Sequence, residues 1–445
     1  MNRYYVMFIA LVFIDVSAHA QSITPKEFTL KNGTKVVMVE DKTVPSICFA
    51  MAVRAGGRYE RPGITGISHL FEHMMFNGSK NYKPTEFDKI LEGGGGYSNA
   101  YTGNDLTFYY EEFSPELLDK VLDMEADRIR SLKIDGANLE QERGIVKEER
   151  RVSVDNNVRS KMFEDLFAMA YVAHAYRNPI IGWMKDLENI TLQDARDYFK
   201  TYYAPNNITV IVVGALDSKA FRPKMERVFG SIPRQPVPRP VNNPEPPQFG
   251  ERRMKLHKAA ELPAVAIGYK TVGVSSPDFC PLNLLSAILS QGQSSRMYKK
   301  LVYDEELAAD VASGVDQRID PGLFTIFVQM QPDKSVDEAE SEVYKMLKEI
   351  AEDGVGDDEL QKAKNLNQMS YAGELKTNVD IAARLGRYEV VHGGYQKSFE
   401  MLNRYASVTV DDMKRVARQY FSERARSVVV LVPEKGETND GNPTK

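Results

Sequence analysis

The sequence predicts an α+β fold in which one unit of strands and clustered helices occurs twice. Three observations carry this reading. A proline-dense segment, residues 233–247, divides the chain into stretches of similar length, 25–232 and 248–435. Each stretch opens with strand-like runs and closes on a β-branched run, 208–213 in the first and 427–432 in the second. Before each closing run stands a helical, aromatic-ended segment, ending Tyr198-Phe199 and Tyr420-Phe421. Strands and helices are grouped rather than strictly alternating, which favours α+β domains over a doubly wound parallel sheet.

At 445 residues the chain is too long for one average core. Its 42% hydrophobic and 27% charged content is that of an ordinary globular protein. A net charge of -5 lacks the basic excess of a nucleic-acid binder. Residues 1–20 read as a signal peptide: Arg3 is followed by an apolar run over 4–16, broken only by Asp15, and then by Ala18-His19-Ala20. The protein is therefore expected to be exported, to the periplasm or outside the cell. No later run reaches the roughly 18 apolar residues of a membrane helix, so no membrane span is expected in the mature chain. Cys48 and Cys280 stand in different halves and read as two buried small hydrophobes, not a disulfide framework. Residues 233–247 favour a stiff extended linker, and the polar tail at 436–445 is expected to be disordered.

In the first half, runs at 35–39 and 47–53 read as strands, followed by a helical pattern around His69-Leu70-Phe71-Glu72-His73. His69, Glu72 and His73 stand at i, i+3 and i+4 and share one helix face. Gly63, Gly66 and Gly78 bracket a stretch free of glycine and proline, which supports the helix. Two histidines on adjacent turns can bind one Zn²⁺ through nitrogen, with the carboxylate between them placed to take a proton from water. The order H-x-x-E-H is the inverse of the common H-E-x-x-H zinc motif. Two of only six histidines fall in this motif, too few elsewhere for a metal-storage protein.

A catalytic zinc site wants three protein ligands and an open position. Residues 136–151 look helical and carry Glu140, Glu142, Glu148 and Glu149. Glu142 and Glu149 share a face two turns apart, yet spacing alone does not choose among the four. Gly93 to Gly96, followed by 97–102, reads as a turn running into an edge strand, or as an ordinary glycine turn. His174 has no glutamate or histidine at ligand spacing and reads as structural.

His69-Leu70-Phe71-Glu72-His73, Asn99-Ala100-Tyr101-Thr102 and the run from Glu142 to Glu149 together resemble the pitrilysin/insulinase family of zinc peptidases, which includes the mitochondrial processing peptidase. The likeness covers nearly the whole mature chain. It implies two homologous domains, each an antiparallel sheet packed against helices, facing each other as a clam shell. It implies one Zn²⁺ per chain on His69, His73 and Glu149, the last standing 76 residues past His73, where the family has its third ligand. Glu72 is then the general base, and Glu142 supports the site without touching the metal. Asn99, Ala100 and Tyr101 match the edge strand on which the family binds peptides by β-augmentation.

The second half opens with a strand-like run at 264–272 and an apolar helical pattern at 281–289, without a zinc motif. It also departs from the family's L-R-x-x-x-x-L-x-Y segment, whose Arg and Tyr bind substrate and stabilise the oxyanion. Val302 and Ala309 occupy those positions and cannot donate a hydrogen bond from the side chain. The favoured expectation is a zinc-bearing subunit of a heterodimer, with a related zinc-free partner supplying the pair. The alternatives are a self-sufficient chain or homodimer using a substitute donor such as Arg296 or Tyr298, and a non-catalytic subunit on the same fold.

Overall fold

The computed structural model describes residues 23–238, 241 and 243–434. The predicted signal peptide and the tail at 436–445 lie outside the described residues. The first half contains β1 (Lys26–Thr29), β2 (Lys35–Glu40), β3 (Ile47–Val53), β4 (Tyr97–Thr102), β5 (Thr107–Phe113) and β6 (Ile208–Gly214). Its helices are α1 (Ile67–Met74), α2 (Glu86–Gly93), α3 (Leu118–Ser131), α4 (Gly136–Arg150), α5 (Val158–Ala170), α6 (Met184–Asn189), α7 (Leu192–Tyr202) and α8 (Ser218–Val228). The second half contains β7 (Arg252–Ala259), β8 (Ala264–Lys270), β9 (Ala308–Val315), β10 (Leu323–Met330) and β11 (Arg426–Glu434). Its helices are α9 (Phe279–Ser290), α10 (Val336–Asp353), α11 (Asp357–Gly373), α12 (Asn378–Val391), α13 (Lys397–Ala406) and α14 (Val410–Tyr420).

The strand orders are β1-β2-β6-β3-β5-β4 and β7-β11-β8-β10-β9. Apart from the added β1, each position in one sheet has its counterpart in the other, so β4 and β9 are equivalent edge strands. One detail differs from the expected antiparallel sheets: β2 pairs with β6, and β7 with β11, in parallel. The closing strand of each half returns from a long helical excursion rather than a hairpin, which permits parallel pairing. The remaining pairs are antiparallel.

Sequence pattern and position in the sheet agree. Every residue of β3 and β6 is buried, as their almost unbroken apolar runs require. The burial of β4 alternates along its length, as expected of a strand at the rim. Cys48 and Cys280 are both buried and unpaired with each other. Among the described residues no helix is long and apolar enough to cross a membrane.

Each sheet is covered on one face by a helix from the other half. α12 lies across β3, β5 and β6, while α5 lies across β7, β8 and β11. Ile381, Ala382 and Leu385 of α12 join one core with Ala50, Ala52 and Phe108 of the first sheet. Met162, Leu166 and Ala170 of α5 join another with Ala266 and Val429 of the second. Gly386 is what lets α12 lie so close: a Cβ there would stand 2.7 Å from the Phe108 ring and 3.2 Å from Ala52 Cβ.

Polar contacts reinforce this clasp. The β9–β10 connection reaches the first half, where Asp320 Oδ2 accepts from Arg58 Nε at 2.6 Å and faces His174 Nε2 at 3.0 Å. Ile319 N donates to Asp105 Oδ2 at 3.1 Å. Within residues 233–247, Glu245 accepts from the backbone N–H groups of Val172, Ala173 and His174 and pairs with Lys270.

Candidate metal centre

Helix α1 buries Ile67, Leu70, Phe71 and Met74. The Phe71 ring packs against Tyr198, Phe199 and Tyr203, with centroids 5.3, 6.1 and 5.5 Å away. The aromatic end of α7 and the residue after it thus seat the apolar side of α1, leaving His69, Glu72 and His73 on the opposite face. The helix start depends on a glycine contact. Gly66 and Gly182 have φ of 86° and 84°, and a Cβ on Gly66 would lie 2.5 Å from Ile181 O. Glu60 accepts from Gly66 N and Ser68 N, both at 2.8 Å, and so satisfies free N–H groups of the first turn. Complete burial pushes the Glu60 carboxyl up to about 7.

Helix α4 packs against α1 and supplies the carboxylates. Its start is capped by Asp135, which accepts from Asn138 N at 2.9 Å. Glu149 Oε1 lies 3.6 Å from His69 Nε2, and its Oε2 lies 3.3 Å from His73 Nε2. One turned-in donor atom from each of His69, His73 and Glu149 falls within 4.8 Å of the others. Ligands at zinc bond lengths on a tetrahedron stand about 3.4 Å apart, so the donor set and its spacing fit a zinc ion. Glu148 turns away and pairs with Arg151 at 2.8 Å. The fold thus separates two adjacent glutamates that sequence spacing alone did not.

Glu142 occupies a different station. Its side chain is 6% exposed against 41% for Glu149, and its Oε2 faces His73 Nδ1 at 3.5 Å. A carboxylate behind a ligand imidazole fixes the ring's orientation and tautomer. Burial lowers the basicity of His73, but Glu142 and Glu149 outweigh it and push the ring up to about 9. Burial holds His69 below the usual imidazole range, against the pull of Glu149 and Glu72. The hydrogen bond with His73 holds both Glu142 and Glu149 below theirs. His69 Nδ1 is buried and has no hydrogen-bond partner among the described residues.

Glu72 Oε2 accepts from Thr102 Oγ1 at 2.6 Å. This contact ties α1 to the end of β4, the outermost strand of the first sheet. Asn99, Ala100 and Tyr101 lie together on that strand, but their side chains leave opposite faces. Ala100 packs toward the core under α1, whereas the Tyr101 ring lies against Phe108, 5.4 Å away, on the face covered by α12. Ala100 N donates to Asn99 Oδ1 at 2.8 Å, so an added strand would take over that donor.

A cleft of about 430 Å³ opens beside the ligands, lined by His69, Thr102 and Glu149 with Val154, Phe163 and Phe167. Arg318 of the second half also lines it. Arg318 carried no signal in the sequence, and Thr102 stood there only as the end of the Asn99-Ala100-Tyr101-Thr102 motif with no role of its own; only folding brings them here. Val302 packs against the second core and Ala309 is exposed on β9. Arg296 is held by Glu359 through two bonds of 2.8 and 2.7 Å, and Tyr298 packs against the second core. None of these four lines the cleft.

A duplicated α+β frame that sets a His-x-x-Glu-His helix against a glutamate-bearing helix defines a zinc-protease scaffold. Comparison with known proteins gives the family. Residues 35–183 match the model of insulinase (peptidase family M16), and residues 189–367 match that of the peptidase M16 inactive domain. The chain belongs to the M16 peptidase family. It is 33% identical over 433 residues to the zinc protease PqqE of Helicobacter pylori, covering 96% of this chain and 97% of that protein. It is 25% identical over 411 residues to the mitochondrial-processing peptidase subunit beta of Lentinula edodes, covering 89% and 87%. The crystal structure of a protease from Helicobacter pylori superposes with a TM-score of 0.88 at 32% identity, covering 92% of this chain and all of that one.

Proposed function

We propose that this chain is a zinc-dependent endopeptidase or oligopeptidase that hydrolyses extended peptides. The observation that carries the reading is the cluster of His69, His73 and Glu149 within 4.8 Å, with Glu72 on the same helix face and tied to the edge strand. His69, His73 and Glu149 would hold one Zn²⁺ per chain. When bound, the ion supplies Lewis acidity that acidifies water and polarises a peptide carbonyl. Glu72 accepts the proton of the attacking water and returns it to the leaving amine, its carboxylate oriented by Thr102. Glu142 orients His73 from behind. The substrate backbone adds to the open edge of β4 along Asn99, Ala100 and Tyr101, beside the metal ligands. The signal-like pattern of residues 1–20 supports an exported activity, in the periplasm or outside the cell.

A second reading, in which a related zinc-free chain completes the site, is favoured by Val302 and Ala309 and by the likeness to a named processing-peptidase subunit. Zinc stoichiometry and cleavage of a quenched peptide by wild type and E149Q test the first reading. A chain that binds no zinc, or that loses none of its activity in E149Q, would sink it. Activity that appears only on mixing with a zinc-free relative carrying the Arg and Tyr would establish the second.

A further inference from the structure

The metal cleft is closed on one side by the second half through a single charged side chain. Arg318 lines the same cleft as His69 and Glu149. Its backbone is pinned: Arg318 O accepts from Val274 N at 2.9 Å, and the next two residues carry the contacts with Asp105, Arg58 and His174. Asp320 N also donates to Tyr176 Oη at 3.2 Å, and Tyr176 Oη in turn donates to Asp105 Oδ1 at 2.8 Å. The guanidinium lies over the rings of Phe167 and Tyr176, 4.5 and 4.7 Å from their centroids. Backbone and side chain are therefore both set before any ligand arrives.

The charge of that guanidinium is incompletely matched. Nη2 faces Asp316 Oδ1 at 3.4 Å, while Nη1 is buried without a hydrogen-bond partner. Glu164, another carboxylate lining the cleft, is already paired with Arg150 at 2.8 and 3.1 Å and with Lys161 at 3.2 Å. Arg177 adds a further cation to the lining. Val154, Phe163, Phe167 and Ile181 make one part of the wall apolar, beside the neutral polar Asn104, Ser160 and Asn178. A mostly buried guanidinium whose ion pair is a long 3.4 Å contact, beside apolar side chains, is matched best by a carboxylate on a ligand that also carries an apolar side chain.

We infer that Arg318 is a substrate-binding residue of the metal cleft and selects peptides that present a carboxylate next to an apolar residue. The inference rests on the zinc-peptidase reading, and it supplies from this same chain a cationic contact that a partner would otherwise bring. The carboxylate comes either from the peptide's C-terminus or from an Asp or Glu side chain.

Binding to full-length E72Q, loaded with zinc, separates these without turnover. Fluorescent oligopeptides containing Phe or Leu would be compared as free acid, as C-terminal amide, and as amide with an internal Glu or Gln. Expected is roughly tenfold or greater tightening by one of the two carboxylates, abolished in E72Q/R318Q and partly kept in E72Q/R318K. The arm that shows the tightening identifies the source. Equal binding of all four peptides, or equal weakening of all four by R318Q at unchanged zinc content, would overturn the inference. If R318Q folds poorly, the R318K comparison decides alone, because a lysine keeps the charge without the planar guanidinium. Failure of the peptidase reading has a different signature, namely zinc-loaded wild type that cuts none of the peptides whatever its binding preference.

Discussion

The metal cleft has a counterpart in the second half, made from equivalent elements in the same order. α9 stands where α1 stands, α11 where α4 stands, and α12 where α5 stands. There α9 buries Phe279, Cys280, Leu282, Leu284, Leu285, Ile288 and Leu289, and its open face carries Asn283, Ser286, Ala287 and Ser290 instead of histidines. The space between these helices is a cavity of about 170 Å³, against about 430 Å³ at the metal cleft. It holds Arg384, bonded to Glu374 and to Ser398 O at 3.0 Å, with its guanidinium over the Tyr371 ring at 4.1 Å. Arg384 and Arg387 both pair with Glu374, while their Nε atoms are buried without a hydrogen-bond partner among the described residues. In the first half, two imidazoles and a carboxylate converge instead, with donor atoms within 4.8 Å of one another. The frame is present in both halves, and the converging imidazoles and carboxylate are in the first.

The comparison can be broken most sharply at Glu72. E72Q should lower turnover by about 10²–10⁴-fold while leaving zinc content unchanged, read by quenched-peptide cleavage and metal analysis. Loss of zinc in that variant would make Glu72 a ligand rather than a base. The converse test lies in the counterpart helix. L285A should cost about 2–5 kcal/mol in unfolding free energy by denaturant titration, with zinc stoichiometry intact, because Leu285 is fully buried and touches no ligand. E142Q should weaken zinc affinity or activity by about 10–100-fold, since it removes the carboxylate that orients His73. T102V should lower kcat about tenfold by freeing the Glu72 carboxylate, with KM nearly unchanged; an unchanged kcat would show that the contact is dispensable.

The smallest effect concerns the segment that joins the halves. Burial opposes ionisation of Glu245, but Lys270 and the N–H groups of Ala173, His174 and Val172 outweigh it and hold its carboxyl down at about 2. The unfolded value is about 4.3, so ionised Glu245 favours the folded state at pH above that value. The stability advantage of wild type over E245Q should therefore be present near neutral pH and shrink as pH falls from about 4.3 toward 2. A pH-independent difference between their thermal midpoints would contradict this assignment.

Much of this architecture was legible because its signals are local. The helix carrying His69, Glu72 and His73 was readable from their spacing and from the flanking glycines, which α1 and Gly66 bear out as a helix. The closing strands were readable because central strands buried on both faces demand unbroken β-branched runs. The parallel pairing of β2 with β6 was not, since a strand's own sequence does not record the direction of its neighbour. The resemblance implied Glu149 rather than Glu148 by its spacing; a helix of four glutamates cannot itself say which way it faces, and in the fold Glu149 faces His69 and His73 while Glu148 pairs with Arg151.

What the sequence by itself determined is the inventory: a duplicated α+β unit, one helix bearing His69, Glu72 and His73, a glutamate-rich helix, and a second half without such a motif. Period and composition suffice for these because they are properties of single segments. Only the tertiary structure decided that α5 and α12 exchange sheets, that Thr102 holds Glu72, and that Arg318 stands beside His69 and Glu149. Those are contacts between segments far apart in the chain. They are fixed by which apolar faces find each other, and no residue's neighbours in sequence carry that information.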